Sequence, residues 1–244
     1  MQMKTLIIDD ERLARQELKN MLTPFDEMEV LGEAANADEA AEMIQQLNPD
    51  LIFLDVQMPG KDGFDLLQEL NSVPKVVFVT AYDEYALKAF EVNAMDYLVK
   101  PVQPERLQET VRKLIENFEK EDKGKIKKNS RGSLLGEDQV FVKDGDKCWF
   151  VKLADIRMFE SDGNYVKVYF HNFRPLIHKS LNALEDKLDN REFFRASRKF
   201  IINLRWVENI ESWFNGGLMV TLKGGDKLEI SRRQAVKFKE MMSL

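Results

Sequence analysis

Residues 51–55 have the sequence Leu-Ile-Phe-Leu-Asp, four apolar residues followed by a carboxylate. A run of this length that is apolar at every position is typical of a strand buried on both faces of a sheet. Residues 5–10, Thr-Leu-Ile-Ile-Asp-Asp, show a similar pattern near the start of the chain. Both stretches therefore predict buried strands that end in acidic residues.

Strand-like and helical segments alternate through the first half of the chain. Strands are predicted at residues 5–8, 30–34, 51–54, 76–79 and 97–99, and helices at residues 12–22, 37–47, 64–70, 85–92 and 104–118. Five apolar strands with helices between and after them imply a parallel sheet that is covered on both faces. In such sheets ligands bind beyond the carboxyl ends of the strands.

Polar residues stand at the ends of four of these strands. Asp9 and Asp10 follow the first strand, Asp55 the third, Thr80 the fourth and Lys100 the fifth. Three close carboxylates repel one another unless a cation neutralises them, and an all-oxygen site suits Mg²⁺. A carboxylate beside Mg²⁺ and a lysine can attack phosphorus, because both cations offset the charge on the transferring oxygens. The pattern predicts a magnesium-dependent phosphoryl site.

Composition and length limit the class of protein. The chain has 244 residues, 44% of them hydrophobic and 32% charged, which indicates a soluble globular protein of two domains. No apolar run approaches the roughly 18 residues that cross a bilayer. The single cysteine, Cys148, cannot form an internal disulfide. We therefore expect a cytoplasmic protein that does not enter the membrane.

Charge is divided unevenly along the chain. Residues 1–122 contain 12 Lys and Arg against 26 Asp and Glu, a net charge of −14, whereas residues 123–244 contain 24 against 16, a net charge of +8. An acidic half can hold a divalent cation and a basic half can attract a polyanion. The two halves are therefore expected to have different functions.

The second half is rich in β signals. We predict a first domain over residues 1–120, a polar linker over residues 121–137 and a mostly-β domain over residues 138–244. Predicted strands cover residues 140–142, 149–151, 165–170, 200–202, 218–222 and 227–230, with turns that contain glycine between several of them. Two segments, residues 180–188 and 232–242, are predicted to be helical.

Four ordered motifs in the first half closely resemble the receiver domain of two-component response regulators. They are Leu-Ile-Ile-Asp-Asp-Glu at residues 6–11, Leu-Asp-Val-Gln-Met-Pro-Gly-Lys-Asp-Gly at 54–63, Val-Thr-Ala at 79–81 and Ala-Met-Asp-Tyr-Leu-Val-Lys-Pro at 94–101. The resemblance covers about 120 residues. It implies a flavodoxin-like α/β fold in which Asp55 accepts a phosphoryl group from a sensor histidine kinase.

The same resemblance implies roles for the other strand-end residues. Mg²⁺ would be held by Asp9, Asp10, Asp55 and the backbone carbonyl of Gln57. Lys100 would contact the phosphoryl oxygens, Thr80 would reach toward them after transfer, and Tyr97 would swing inward as Thr80 moves. The Lys100–Pro101 bond matches a position that is cis in the family. Phosphorylation would favour a homodimer through the face formed by residues 84–113.

An enzyme that acts on an external phosphoester is the alternative for this half. A phosphatase of the haloacid dehalogenase type also uses a strand-end aspartate with Mg²⁺, but it needs a second acid two residues later, followed by threonine. Here Val56 and Gln57 follow Asp55, and no phosphate-binding glycine loop of the Gly-x-x-x-x-Gly-Lys-Ser/Thr type is present. We therefore expect no enzyme, only phosphoryl chemistry of the chain on itself.

Residues 156–166, 178–185, 193–203 and 230–233 resemble segments of a LytTR-type DNA-binding domain. In that family a mostly-β domain inserts loop side chains into successive major grooves of double-stranded DNA. The resemblance implies base or backbone contacts from Asn203 and Arg233, and a first contacting loop with Asn164 and Tyr165. Phosphate contacts are expected from Lys179, Arg198 and Lys199. An asparagine can bond a base edge in bidentate fashion, and an arginine opposing the dipole of the last helix needs another role.

Simpler interpretations remain for these residues. Arg198 and Lys199 are ordinary solvated charges in one alternative, and Asn203 is a turn former. Trp149, Trp206 and Trp213 are expected to pack in the core.

Together the two resemblances predict a cytoplasmic response regulator that binds promoter repeats and controls transcription. The rival hypothesis is an unphosphorylated binding module whose second domain binds RNA or protein.

Overall fold

The structure is a computed structural model that describes residues 2–81, 95–122, 133–145 and 147–242, the side chains at 119–122 and 215 excepted. The chain forms two compact units, residues 1–130 with 147–150, and residues 131–146 with 151–244. The predicted helix at residues 85–92 and the part of the predicted linker at 123–132 lie outside the described residues.

The first unit is built on a five-stranded parallel sheet with the strand order β2-β1-β3-β4-β5. Its elements are β1 (Met3–Ile8), α1 (Arg12–Leu22), β2 (Met28–Ala34), α2 (Ala37–Leu47), β3 (Leu51–Leu54), α3 (Gly63–Glu69), β4 (Lys75–Thr80), β5 (Asp96–Val99) and α4 (Pro104–Asp122). The predicted parallel sheet and flavodoxin-like fold are confirmed. All five predicted strands are present, and so are the four predicted helices that lie within the described residues.

Burial explains why this sheet forms. All four residues of β3 have no exposed surface, as expected for a central parallel strand with helices on both faces. Local signals start the helices that follow: the Asn36 side chain accepts a hydrogen bond from the backbone N–H of Glu39, and Asp62 forms a capping box with Asp65. The order of the strands reverses between β1 and β3, and this switch point is where such sheets bind ligands.

The remaining elements are mostly β. They are β6 (Gln139–Asp144), β7 (Lys147–Lys152), β8 (Ile156–Asp162), β9 (Tyr165–Phe170), β10 (Leu176–Ile177), α5 (Leu181–Glu185), β11 (Phe193–Arg195), β12 (Phe200–Asn203), β13 (Val207–Ser212), β14 (Leu218–Leu222), β15 (Lys227–Ile230) and α6 (Arg232–Met242). Five strands form an antiparallel sheet in the order β10-β9-β8-β12-β11, and β13-β14-β15 form a second sheet. The described helices include none long and apolar enough to cross a membrane.

Sequence patterns missed four strands of this half, β8, β10, β11 and β13. In β8 a charged residue interrupts the apolar pattern, yet Arg157 is only 7% exposed. Its guanidinium donates to Asp226 Oδ2 at 3.2 Å and to the His171 carbonyl at 2.7 Å. A cation can be buried there because these tertiary contacts satisfy it. The expectation that Trp213 packs in the core is wrong, since this side chain is 38% exposed.

A buried carboxylate joins the last strand of the parallel sheet to the helix that follows it. Asp96, at the start of β5, is 9% exposed. Its oxygens accept hydrogen bonds from both terminal nitrogens of Arg106 and, at 2.9 Å, from the Thr110 hydroxyl, while Lys113 lies 3.4 Å away. Burial alone would raise the pKa of Asp96, but these hydrogen bonds, with that of the Tyr97 N–H, hold it below its ordinary value.

We expect Asp96→Asn to lower the free energy of unfolding at neutral pH by about 2 kcal/mol. This is less than the roughly 3–5 kcal/mol for a fully buried pair, because Arg106 and Lys113 are partly in water. A lowered pKa stabilises the fold above the ordinary carboxyl value of 3.8, and this stabilisation disappears as pH falls through the lower, folded value. Calorimetric unfolding at several pH values should therefore show the gap between wild type and variant closing in acid.

Glu116→Gln, on the exposed face of α4, removes the same charge and serves as the control. An equal loss of stability in both variants would contradict the role assigned to Asp96.

Candidate metal centre and nucleic-acid interface

The register of the parallel sheet brings the acids of the first unit together. Ile8 pairs with Leu54 in adjacent strands, so the residues that follow them, Asp9 and Asp55, emerge side by side. One carboxylate oxygen of each of Asp9, Asp10 and Asp55 lies within 4.8 Å of the others. Asp9 and Asp55 are buried and Asp10 is exposed, so the cluster is open to solvent on the Asp10 side.

Lys100 provides the positive charge between the two buried carboxylates. Its Nζ lies 2.6 Å from Asp9 Oδ2 and 2.6 Å from Asp55 Oδ2. Its backbone N–H donates to the Thr80 carbonyl at 2.9 Å, which ties it to the end of β4. The Lys100–Pro101 bond is cis, as the resemblance to receiver domains implies. The geometry therefore places the predicted ammonium group directly against the predicted phospho-acceptor.

Burial and hydrogen bonds shift the pKa values of Asp9 and Lys100. Burial raises the pKa of Asp9, and the hydrogen bonds from Lys100 and the Glu11 N–H only partly offset this effect. Burial alone would lower the pKa of Lys100, but its hydrogen bonds to Asp55 and Asp9 raise it above the ordinary value. The lysine is therefore fully charged at neutral pH, and it offsets the repulsion between two carboxylates.

The donor set fits Mg²⁺. Three carboxylates converge from two adjacent strand ends, and hard oxygen ligands of this kind are those that Mg²⁺ prefers. Backbone donors already orient the other oxygens, since the Glu11 N–H bonds Asp9 Oδ1 at 2.9 Å and the Gln57 N–H bonds Asp55 Oδ1 at 3.1 Å. The participation of the Gln57 carbonyl stays a prediction.

The two predicted switch residues lie in neighbouring strands. Thr80, the last residue of β4, is 1% exposed. Tyr97 lies in β5, which pairs with β4, and its side chain is already buried at 6% exposure. The structure therefore describes an inward position of Tyr97, and its predicted movement stays a prediction.

Sequence reasoning missed two residues that support the acidic cluster, of which Arg15 is the first. Its Nη1 donates to the carbonyl of Asp9 at 2.6 Å and to that of Asp10 at 3.3 Å, while Nε faces Glu33 at 3.4 Å. Arg15 thus fixes the backbone that carries both acids. In the sequence it is only one of two arginines in a predicted amphipathic helix.

Gly63 is the second. A Cβ atom at this position would lie 2.5 Å from the backbone carbonyl oxygen of Asp55 and 3.2 Å from the Cα atom of Val56. The start of α3 packs directly on the loop that carries Asp55, because glycine leaves room for it. The sequence showed this glycine inside a motif but not the contact that requires it.

Antiparallel pairing gathers most of the predicted DNA-contacting residues at one end of the five-stranded sheet. Tyr165 pairs with Asp162, Ile177 with Val166, and Phe200 with Glu160, so three connections meet there. We call this surface the basic loop end and define it as residues 161–165, 177–179 and 196–199. It contains the predicted residues Asn164, Tyr165, Lys179, Arg198 and Lys199.

Direct contacts hold these three connections together. The Tyr165 ring, 47% exposed, lies 5.5 Å from the His178 ring in an edge-on arrangement. The Ser161 N–H donates to the Lys199 carbonyl at 2.8 Å. Arg195, which the sequence did not indicate, donates to the carbonyls of Ser197 and Arg198 at 2.6 and 3.0 Å. These contacts fix the three connections of the basic loop end relative to one another.

The basic residues of this surface differ in exposure. Arg198 and Lys199 are exposed, whereas Lys179 is half-buried. Burial lowers the pKa of Lys179, and the nearby charge of Lys187 adds to this effect. Arg233 is not part of this surface, because it lies in α6 and not in a connection of the five-stranded sheet. It is exposed in the first turn of that helix.

The prediction that Asn203 contacts DNA is wrong. Asn203 has no exposed surface. Its amide nitrogen donates to the carbonyls of Leu153 and Ile156 at 3.3 and 3.0 Å, and its oxygen accepts from the Arg205 N–H at 3.0 Å. The amide satisfies buried backbone groups and caps the turn after β12, so the turn-forming alternative describes it correctly.

Comparison with known proteins identifies both halves. The response regulator receiver domain family matches residues 5–112, and the LytTr DNA-binding domain family matches residues 146–243. The chain is 35% identical over 246 residues to the sensory transduction protein LytT of Bacillus subtilis, an alignment that covers 99% of this chain and 100% of the relative. This chain belongs to the LytTR family of two-component response regulators.

Other known proteins are similar to this chain over its whole length or over one domain. The transcriptional regulatory protein BtsR of Salmonella typhi is 33% identical over 249 residues, which cover 99% of both chains. The response regulatory domain of protein mrkE from Klebsiella pneumoniae is 36% identical and covers 48% of this chain and 99% of its own, with a TM-score of 0.45. The two family matches show that this LytTR regulator combines a receiver with a DNA-binding domain.

We expect Gly63→Ala to destabilise the protein by about 3 kcal/mol, the upper part of the usual range for overpacking. The added methyl group meets a backbone atom of Asp55, which cannot rotate away. Gly60→Ala is the control, because nothing lies within 4 Å of its Cβ position and only its φ of +86° is strained. That change should cost about 1 kcal/mol. Equal shifts of the calorimetric transition in the two variants would refute the contact.

Proposed function

We propose that this chain accepts a phosphoryl group on Asp55 from a sensor histidine kinase and regulates transcription by binding promoter repeats in the cytoplasm. In this proposal residues 1–120 are the phospho-accepting domain, residues 121–137 the linker and residues 138–244 the DNA-binding domain. The observation that carries the proposal is the position of Asp55, a buried carboxylate 2.6 Å from the Lys100 ammonium group, which also contacts Asp9.

The site supports nucleophilic attack by Asp55. A carboxylate oxygen forms the new bond to phosphorus, and the bond from phosphorus to the histidine nitrogen of the donor breaks, with the electron pair leaving on that nitrogen. Bound Mg²⁺ would be held by Asp9, Asp10, Asp55 and the Gln57 carbonyl and would neutralise phosphoryl charge. Lys100 is already beside the attacking group and can follow the new oxygens. Thr80 supplies a hydroxyl at the same edge. The chemistry is confined to the chain's own Asp55.

Acetyl phosphate with Mg²⁺ should add one phosphoryl group to the wild type, which intact-mass spectrometry measures directly. Asp55→Asn should remain unlabelled because the nucleophile is lost, and a chelator should abolish labelling of the wild type. Asp38→Asn is the matched control, since Asp38 is an exposed aspartate of the same unit. Equal labelling of the Asp55→Asn and wild-type chains would refute the assignment.

We also propose that phosphorylation favours a homodimer through the face formed by residues 84–113. Residues 84–94 of this face lie outside the described residues. The described part contains Val99, a β5 residue that is 40% exposed, and the Arg106 and Lys113 side chains that Asp96 holds. The described part of this face thus contains both an exposed apolar residue and charged side chains, a mixture found in protein interfaces.

The DNA contact is proposed at the basic loop end. Five of the seven predicted contact residues lie there, and the domain around them is the more basic half of the chain. Arg198, Lys199 and Lys179 would bind phosphates, which position the protein on the duplex. Asn164 and the exposed Tyr165 ring would face the bases. Arg233 in α6 is proposed as a further contact outside this surface.

Arg198→Ala and Lys199→Ala should weaken binding of the intact chain to all duplex sequences alike. Loss of one phosphate contact should reduce the slope of log affinity against log salt by about 0.9. Lys227→Ala, an exposed lysine on β15 of the other sheet, is the control and should change neither quantity. Fluorescence anisotropy titrations at several salt concentrations measure both. If the control variant loses as much affinity as the other two, the basic loop end is not the interface.

A further inference from the structure

Two carboxylates at the edge of the basic loop end form ion pairs with lysines. Glu160 Oε1 lies 2.8 Å from the Lys199 Nζ, and Asp162 Oδ2 lies 2.9 Å from the Lys167 Nζ. The members of the first pair are unequal, because the Lys199 side chain is 60% exposed and that of Glu160 only 15%. One partner is therefore free to move into solvent and the other is not.

Glu160 is held in place from several directions. It lies in β8, between its pairing partners Lys167 in β9 and Phe200 in β12. Its second oxygen, Oε2, accepts a hydrogen bond from the Tyr169 hydroxyl. The carboxylate is thus anchored by backbone pairing and by a side chain on the neighbouring strand.

Hydrogen bonds also keep the Glu160 carboxylate ionised. Burial alone would raise the pKa of Glu160, but the hydrogen bonds from Lys199 and Tyr169 lower it below its ordinary value. Burial and the hydrogen bond to Glu160 raise the pKa of Tyr169 to about 12. At neutral pH the site therefore contains a fixed negative charge with a protonated hydroxyl behind it.

A phosphate that approaches Lys199 in this position also approaches Glu160. The lysine must leave the carboxylate to form an unopposed phosphate contact, because the carboxylate cannot follow it. Arg198 offers a contrast, since its exposed guanidinium makes no ion pair with the residues that the structure describes. Neighbouring cations on the same turn are therefore unequally available to DNA.

We propose that Glu160 is an affinity-setting residue of the DNA interface, an internal competitor for Lys199 that a DNA phosphate must displace. This inference rests on the proposed DNA contact at the basic loop end. The competition weakens binding to every duplex, including the many non-specific sites that compete with a promoter. Specific binding adds base contacts to the same phosphate contact, so the competition lowers specific and non-specific affinity by the same factor and sets the absolute affinity, not their ratio.

The test compares Glu160→Gln with Glu208→Gln in the intact chain. Glutamine keeps an oxygen for the Tyr169 hydroxyl but removes the charge. Glu208 is an exposed acid on β13 of the other sheet, so its replacement changes the net charge equally. With a random-sequence duplex, Glu160→Gln should bind about fivefold more tightly, the size expected for one partly exposed ion pair. It should also show a steeper salt dependence, and Glu208→Gln should change little.

The same substitution in a Lys199→Ala background identifies the partner. The gain should disappear, because no lysine remains for the carboxylate to hold. A gain that persists without Lys199, or one that Glu208→Gln matches, would overturn the inference and indicate general charge repulsion. If Glu160→Gln does not show a native thermal transition, Glu160→Met fills the same half-buried space without charge and replaces it in both experiments.

Failure of the underlying proposal would look different. If Arg198→Ala and Lys199→Ala leave affinity unchanged, the DNA contact lies elsewhere. If they weaken binding while Glu160→Gln has no effect, the interface is correct and the competition is not.

Discussion

One half-buried lysine between two aspartates determines much of the first domain's functional edge. Asp9 and Asp55 emerge from adjacent strands with their carboxylates close together, and Lys100, from a third strand end, lies 2.6 Å from each. Without a cation this edge would concentrate like charges in a poorly solvated position. The surrounding structure serves that arrangement: Arg15 fixes the backbone of the acid pair, and Gly63 lets α3 approach the loop of Asp55.

The same physical theme recurs in the second domain with the charges reversed. Its exposed cations lie on turns at one sheet end, and carboxylates from within the sheet partly neutralise them, as Glu160 does for Lys199. In the first domain a half-buried cation offsets the repulsion between two buried acids. In the second domain a half-buried acid limits how much positive charge is available to a polyanion. In the second site the less exposed partner, Glu160, stays in place while Lys199 can move into solvent.

Sequence patterns identified most of the fold. The bounds of α1, α2, β3, β9, β14, β15 and α6 match the predicted segments, because regular burial produces a regular pattern of apolar residues. The strands that were missed carry irregular patterns. In β8, Arg157 is buried through contacts with Asp226 and the His171 carbonyl, which are distant in sequence. The expectation that Trp213 packs in the core was wrong because an aromatic residue type alone does not show whether its side chain points to the core or to solvent.

The sequence by itself determined that polar residues stand at the ends of successive strands. It thereby predicted the cluster of Asp9, Asp10, Asp55, Thr80 and Lys100. Parallel strands end at one edge of their sheet, so residues that follow successive strands must lie near one another. Only the tertiary structure decided that the Asn203 side chain is buried and that Glu160 pairs with Lys199. Whether a polar side chain faces DNA or a buried carbonyl depends on strand register and on backbone groups some 50 residues away. Local sequence does not show which distant backbone groups a side chain will contact, because the packing of strands against one another brings these groups together.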